Sequence, residues 1–209
     1  MTGLMVGLLA LSAPAEMTFL AHYDTTTNAD AAAGGTDDLG GGKGTIVTGG
    51  KFGSGAHFGT SNQASVYATA GNIQADSGTL MFWYKADTDN LDWPCLFSIG
   101  TTNFWSNPPT TNLMIRSLPG YNSTYVYMTD TSGHSYSMNP TGVGGTSWAH
   151  VAVTWSASGG TCDFKAYSNG SLTASQTGVT WSSTSIRPCS SAASAIGPGP
   201  APTVPWTTW

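Results

Sequence analysis

Apolar residues are concentrated in two segments that lie far apart along the chain. Residues 78–85 are Gly-Thr-Leu-Met-Phe-Trp-Tyr-Lys, so a strand here would carry apolar side chains on both faces. Such a strand is typical of the middle of a sheet that is covered on both sides, and we predict a central strand. Residues 148–156 alternate instead, which predicts a strand with one buried face. That face consists of Ala149, Val151, Val153 and Trp155.

Shorter apolar segments separated by turn residues occupy much of the rest of the chain. They predict strands at 17–23, 51–58, 64–69, 96–100, 112–118, 124–129, 135–138, 161–168, 171–175 and 178–181. Residues 24–45 are rich in Gly, Thr, Asp and Asn and predict a long loop. Asn169-Gly170 predicts a tight hairpin turn, because both central residues of that turn need positive φ. Short strands at regular spacing predict an all-β sandwich or jelly roll of antiparallel sheets.

The composition changes the expected surface and the expected partners. Only 8% of the 209 residues are charged, against about 25% in an ordinary soluble domain. Glu16 is the sole glutamate, and a shortage of Glu, Lys and Arg argues against long helices. The six Lys and Arg residues are scattered along a sequence with net charge −5. Nucleic-acid binding needs clustered cations, so we expect no nucleic-acid partner.

The two ends of the chain differ from the middle. Residues 4–11 form an apolar run that is too short to span a bilayer. Ala13-Pro14-Ala15 has the small-residue form of a signal-peptidase site, but no Lys or Arg precedes the run. Residues 1–16 are therefore interpreted as a retained apolar arm, a secretion signal or a disordered leader. Residues 198–209 are rich in proline and predict an extended tail.

The cysteines are Cys95, Cys162 and Cys189. Because their number is odd, at most one internal disulfide can form. Cys162 and Cys189 are the favoured pair, since both belong to the C-terminal third of the chain. Three buried free thiols are the alternative.

Eight short motifs, taken in order, resemble the laminin-G-like, concanavalin-A-like jelly-roll family. They lie at 19–24, 50–53, 70–72, 78–84, 96–100, 148–155, 167–170 and 195–197. Among them are Trp-Ala-His-Val-Ala-Val-Thr-Trp at 148–155 and Tyr-Ser-Asn-Gly at 167–170, where Asn169 replaces the usual Asp, and the specificity comes from their order along the chain. The resemblance covers residues 17–197 and implies two antiparallel sheets packed face to face. It also predicts His150 to be a structural histidine.

One departure from that family concerns the last strand. Its members usually close with a strand that pairs with the first one, whereas this chain continues into the proline-rich tail. The edge beside the first strand then needs a cover. We predict that the N-terminal arm, the tail or a neighbouring subunit provides it. The apolar residues that would serve such an assembly are Leu4, Leu8, Leu11, Trp206 and Trp209.

No catalytic motif is present in the sequence. Related folds include glycoside hydrolases that need paired carboxylates, but the chain has one glutamate and no predicted strand with two Asp on one face. Serine and histidine residues are available, yet there is no nucleophile-elbow motif. The sequence therefore predicts a protein that is not an enzyme.

Calcium is the one cofactor that the sequence suggests, because Ca²⁺ prefers oxygen ligands on Asp-rich loops. The favoured site is Asp24, Asn28 and Asp30, near the place where some members of the resembled family bind structural calcium. A second cluster is Asp87, Asp89 and Asp92. The alternative for both is a solvated turn in which Asp and Asn bond their own backbone.

Aromatic residues in or near loops are the candidate ligand-binding residues. They are Trp93, Trp105, Tyr121 and Tyr125, and core or interface packing is the alternative role. We predict an extracellular recognition or adhesion module that binds a glycan. The alternative is a structural subunit of a virion coat, tail or surface filament, which would bind copies of itself or other coat subunits.

Overall fold

The computed structural model describes residues 16–40, 44–59, 63–87, 95–100, 111–118, 123–130, 134–143, 145–181 and 193–196. These residues form strands and turns, and none of them is in a helix. Accordingly, the described part of the chain offers no helix that could cross a membrane. The strands are β1 Phe19–Leu20, β2 Ala31–Ala32, β3 Thr45–Gly50, β4 Gly53–His57, β5 Ala64–Tyr67, β6 Ser77–Tyr84, β7 Cys95–Gly100, β8 Thr111–Leu118, β9 Ser123–Thr129, β10 Ser135–Met138, β11 Ala149–Ser158, β12 Thr161–Ser168, β13 Ser171–Thr180 and β14 Ala193–Ile196.

Two four-stranded antiparallel sheets dominate the fold. The front sheet has the order β13-β12-β11-β6, and the back sheet has the order β10-β9-β8-β7. Three antiparallel pairs complete the described strands, namely β14 with β5, β3 with β4, and β1 with β2. Strand β14 also lies close to β7 in the back sheet. The predicted all-β sandwich is confirmed.

One hydrophobic core lies between the front and back sheets. Both contribute residues that are almost completely buried, among them Val153 and Phe164 from the front and Ile115 and Val126 from the back. The indole nitrogens of Trp155 and Trp181 donate hydrogen bonds to the carbonyls of Gln74 and Ala75, at 2.9 and 3.0 Å. Burial of these rings therefore leaves neither N–H without a partner.

Strand β11 follows the predicted alternation, and β6 does not take the predicted place. In β11, Ala149, Val151, Val153 and Trp155 are buried. The prediction of a central β6 covered on both faces is wrong, because among the described strands β6 pairs only with β11, at the end of the front sheet. The second apolar face is open, since Met81 is 61% and Trp83 is 37% exposed. A strand with apolar residues on both faces is buried on both faces only where a further layer of protein covers its outer face.

The inner face of β6 explains why Gly78 occupies its position. Leu80, Phe82 and Tyr84 pack against the core from this face. A Cβ atom on Gly78 would lie 2.2 Å from the Cζ2 atom of Trp155, which is far inside van der Waals contact. Glycine therefore lets the Trp155 indole lie flat against the strand.

The N-terminal part of the chain departs most from the prediction. The expected strand at 17–23 is reduced to β1, and Tyr23 has a φ of 61° that ends extended structure. The expected loop at 24–45 contains β2, and β3 was missed. Strand β3 carries glycines at its end and lacks a regular alternation, so periodicity did not reveal it.

Two further details concern the C-terminal half. The two strands predicted at 171–175 and 178–181 are one continuous strand, β13, whose pairing with β12 shifts register twice. The hairpin turn at Asn169 and Gly170 is confirmed, with φ of 50° and 83°. The predicted arm, the tail and the cover that they would give to an edge lie outside the described residues.

Cys95 and Cys162 are buried free thiols. The favoured pairing of Cys162 with Cys189 is therefore absent, and Cys189 itself lies outside the described residues. Burial raises the pKa of Cys95 to about 12 and that of Cys162 to about 11. Both thiols stay protonated at neutral pH and act as small apolar side chains.

Candidate functional site

The turn between β3 and β4 carries an exposed aromatic residue onto the front sheet. Lys51 and Phe52 form this turn, and positive φ at Gly49 and Gly53 (92° and 105°) permits it. The Phe52 ring lies edge-on to Trp83 of β6, with centroids 5.7 Å apart. The Nζ atom of Lys51 lies 4.3 Å from the centroid of the Trp83 ring. The turn is thus held on the outer surface of β6 by an aromatic and a cation–π contact.

Strand register aligns further apolar side chains beside that turn. Trp83 lies opposite His150, and their rings are 5.3 Å apart. The next row across the sheet runs Met81, Ala152, Tyr167 and Leu172. Exposure remains high at Phe52 (75%) and Leu172 (55%). We call this outer surface of the front sheet the front face; its members are Lys51, Phe52, Met81, Trp83, Lys85, Trp148, His150, Ala152, Lys165, Tyr167 and Leu172.

All three lysines of the described residues belong to the front face. Lys51 lies over Trp83, and the Nζ atom of Lys85 lies 5.5 Å from the ring centroid of Trp148. Lys165 lies opposite Thr154 on β12, in the same alternation as Tyr167. No carboxylate of the described residues is within salt-bridge distance of these ammonium groups. The front face therefore combines apolar rings with unneutralised positive charge.

The carboxylates closest in sequence to Lys85 and Lys165 have other partners. Asp87, shortly after β6, pairs with His57 through an Oδ2–Nε2 distance of 2.7 Å. Asp163 of β12 accepts a 3.0 Å hydrogen bond from the Gly178 amide through Oδ1. These contacts stabilise the strand ends and do not form a pair of free carboxylates.

Tyr125 is the one predicted ligand-binding residue in the described part of the chain. It lies on β9, half-buried on the outer surface of the back sheet, with its ring 6.1 Å from that of Tyr127 and nearly parallel to it. Arg116 lies opposite Tyr125, and Cys95 lies opposite Arg116. Burial lowers the pKa of Arg116. We call this surface, with Met114, the back face; Trp93, Trp105 and Tyr121 lie outside the described residues.

The predicted calcium ligands lie in the loop between β1 and β2. The Oδ1 atom of Asn28 accepts a 3.0 Å hydrogen bond from the Asp38 amide. Asp30 Oδ2 accepts the His22 amide at 2.7 Å and lies 3.2 Å from the Nδ1 atom of His22. Within the described part of the chain, no group of three or more His, Cys, Asp or Glu residues could hold a metal ion. These bonds fit the alternative of a turn stabilised by its own side chains, and calcium stays a prediction.

The same loop contains a buried acid that the sequence analysis did not single out. Asp38 is 5% exposed, and its Oδ1 atom accepts hydrogen bonds from the amides of Gly40 and Val66 at 2.9 and 2.8 Å. It thereby fixes the loop to β5. Of the second predicted cluster, Asp89 and Asp92 lie outside the described residues, as do the predicted assembly residues Leu4, Leu8, Leu11, Trp206 and Trp209.

Sequence reasoning missed the front face as a site. Met81 and Trp83 were assigned to a covered surface, and the lysines were treated as scattered. The available signal was Lys51-Phe52 between glycines, which places a cation and a ring at the tip of a hairpin. His150 is half-buried and its ring packs against that of Trp83. A packing contact of this kind is what the prediction of a structural histidine implies.

A comparison with family models decides the family. The Laminin_G_3 model, described as "Concanavalin A-like lectin/glucanases superfamily", matches residues 58–207. The chain belongs to this superfamily. The resemblance inferred from the sequence is confirmed, although the model match begins after the N-terminal motifs on which part of that inference depended. A comparison with curated proteins found no match.

Solved structures of the same fold come from several sources. The CBM40 of the Ruminococcus gnavus IT-sialidase, bound to alpha2,3 sialyllactose, has 15% identity and a TM-score of 0.50 and covers 73% of this chain and 77% of its own. An HCR/D mutant has 13% identity and a TM-score of 0.60, with 88% and 43% covered. The botulinum neurotoxin serotype G binding domain has 12% identity and a TM-score of 0.54, with 81% and 40% covered. This chain thus spans less than half the length of the latter two, and at such identities the likeness shows the fold.

Proposed function

We propose that this protein is a non-enzymatic recognition module that binds glycans outside the cell through its front face. The observation that carries the proposal is the exposed aromatic surface of Phe52 and Trp83, which lies among hydrogen-bond donors of Lys51 and His150. One side of a sugar ring presents C–H groups, and its edge presents hydroxyls. Aromatic rings cover the first and polar side chains bind the second.

The comparison with solved structures supports the same class of ligand. A fold of this superfamily binds alpha2,3 sialyllactose in the CBM40 structure, so the scaffold can present a glycan site. The chemistry of the front face supports binding without hydrolysis. Retaining hydrolysis needs two carboxylates about 5 Å apart, whereas Asp87 and Asp163 are separately engaged by His57 and Gly178.

A glycan-binding panel with matched variants tests the proposal. Phe52→Ala removes a ring that is 75% exposed, so the fold should survive while affinity for bound glycans falls about tenfold, or about 1.4 kcal/mol. Leu39→Ala is the control, because Leu39 is another apolar side chain with high exposure (62%) and lies off the front face. Isothermal titration calorimetry should show the loss for Phe52→Ala alone. Equal losses in both variants, or a panel with no bound glycan, would contradict the proposal.

A further inference from the structure

The distribution of charge on the two sheets is unequal. The sequence holds eleven acidic and six basic residues, yet the three lysines of the described part all lie on the front face, where Lys51 and Lys85 contact aromatic rings. Arg116 is half-buried on the opposite side, where Cys95 is its neighbour in register. An acidic protein thus collects its described lysines on one surface, which also carries Asp163, bonded to the Gly178 amide. That surface coincides with the exposed rings.

The position of each lysine fits a role in ligand binding. Lys51 Nζ lies 4.3 Å from the centroid of the Trp83 ring and 5.9 Å from that of Phe52. A sugar stacked on Phe52 would therefore have an ammonium group beside its ring. A single exposed cation–π contact is weak, so the ammonium group can turn towards a stronger acceptor at little cost.

The three lysines are spread across the front sheet and do not converge on a single point. Lys51 lies over Trp83 of β6, Lys85 directly follows β6, and Lys165 lies two strands away on β12. An elongated ligand that runs diagonally across β6, β11 and β12 could contact all of them. None has a carboxylate partner within salt-bridge distance in the described part of the chain, so an incoming anion displaces no existing ion pair.

The chemistry favours an acidic glycan over a nucleic acid. Tight binding to duplex DNA takes about 6–10 phosphate contacts, and the front face offers three lysines and no arginine. An acidic polysaccharide supplies C–H faces for the aromatic rings and anionic groups for the lysines on the same sugar units, so both kinds of side chain on the front face would contact it.

We propose that the front face selects glycans that carry carboxylate or sulfate groups, with Lys51, Lys85 and Lys165 as the residues that bind the anions. This inference rests on the proposed function and names its ligand class. Two of these ammonium groups, those of Lys51 and Lys85, would act beside an aromatic ring. Salt should therefore weaken binding to acidic glycans, because added ions screen exposed charges.

Binding to matched pairs of polymers tests the inference. The pairs are polygalacturonate with its methyl ester, and dextran sulfate with dextran. The intact chain should bind each acidic member about tenfold more tightly than its neutral partner, because three exposed ion pairs of about two- to threefold each multiply to that order. Lys51→Gln should weaken the acidic ligands about threefold, and the triple variant Lys51→Gln, Lys85→Gln, Lys165→Gln should remove the preference.

A control variant separates local contacts from total charge. Ser137→Asp alters the net charge by the same single unit as Lys51→Gln, at an exposed position of β10 in the back sheet. It should leave affinity for polygalacturonate within about twofold, because charges beyond a Debye length of about 8 Å are largely screened at physiological salt. A loss equal to that of Lys51→Gln would overturn the assignment.

The other outcomes distinguish this inference from the proposed function. Equal affinity for acidic and neutral polymers, unchanged in the triple variant, would overturn the inference and leave glycan binding intact. Binding to duplex DNA as tight as to polygalacturonate would also overturn it, since the lysines would then act as an unselective anion exchanger. No binding to any polymer here or to any glycan of the panel would overturn both.

Discussion

The front and back faces are built from the same kind of strand and differ in what surrounds their rings. On the front, Met81 and Trp83 alternate with core residues of β6; on the back, Tyr125 and Tyr127 alternate with core residues of β9. The front rings are flanked by lysines and by the exposed turn at Phe52. The back rings are half-buried beside Arg116. The comparison teaches that accessibility and charge, not the number of aromatic residues, distinguish the proposed binding surface from a packed one.

Thiol reactivity provides the largest expected contrast between the faces. Cys95 lies opposite Arg116 on the back, and burial raises its pKa to about 12. A cysteine introduced by Met81→Cys on the front would be exposed, with an ordinary pKa of about 8.5. The thiolate fractions at pH 8 then differ by roughly a thousandfold, and alkylation rates should differ at least as much.

Peptide mass spectrometry after iodoacetamide treatment resolves the two sites in one sample. The rate at Cys95 should rise with pH up to about 12, since its thiol ionises only there. The introduced thiol should reach a plateau above about pH 9.5, one unit beyond an ordinary cysteine pKa. Similar rates at pH 8 would show that the back face is as open as the front. That result would contradict the difference in accessibility between the two faces.

The orientation of β6 depends on its inner packing, and Gly78→Ala tests that dependence. The added methyl would collide with Trp155, 2.2 Å from its Cζ2 atom. Overpacking of this kind costs about 1–3 kcal/mol. For a chain of this size the midpoint of thermal unfolding should fall by about 2–4 °C for each kcal/mol lost.

A second glycine offers a matched control for that substitution. At Gly55 in β4 an added Cβ would meet nothing closer than the Cα of Gly50, at 3.4 Å. Gly55→Ala should therefore stay within about 0.5 kcal/mol of the original chain, as surface substitutions usually do. Equal unfolding midpoints for the two variants would contradict the packing described for Trp155.

The sequence predicted the sandwich because its longest strands have clear periodicity. The alternation at 148–156 predicted the buried residues Ala149, Val151, Val153 and Trp155, although Ala152 on the other face is buried as well. Asn169-Gly170 predicted the next hairpin. Strand β3 escaped prediction because Gly49 and Gly50 interrupt its pattern. The sequence of β6 itself does not show what packs on its outer face, because the contacts there come from residues 51 and 52 of a distant turn.

The site was harder to predict than the fold for a related reason. Lys51, Lys85 and Lys165 are widely separated in sequence, and only the strand pairing of β6, β11 and β12 brings them to one surface. Tyr125 was singled out for its position near a loop, which gives no measure of exposure. The predicted pair of Cys162 and Cys189 likewise depended on proximity in sequence, and the structure keeps Cys162 as a free thiol.

The central claim is that glycans bind at the front face, and NMR titration of the intact chain tests it most directly. Trp83 is partly exposed, whereas Trp155 and Trp181 are buried and their indole N–H groups donate to backbone carbonyls. Addition of the best-binding oligosaccharide of the panel should shift the Trp83 indole signal and the Phe52 and His150 amides, and leave the two buried indoles unchanged. Shifts centred on Tyr125 and Tyr127, with the Trp83 signal unmoved, would contradict the claim.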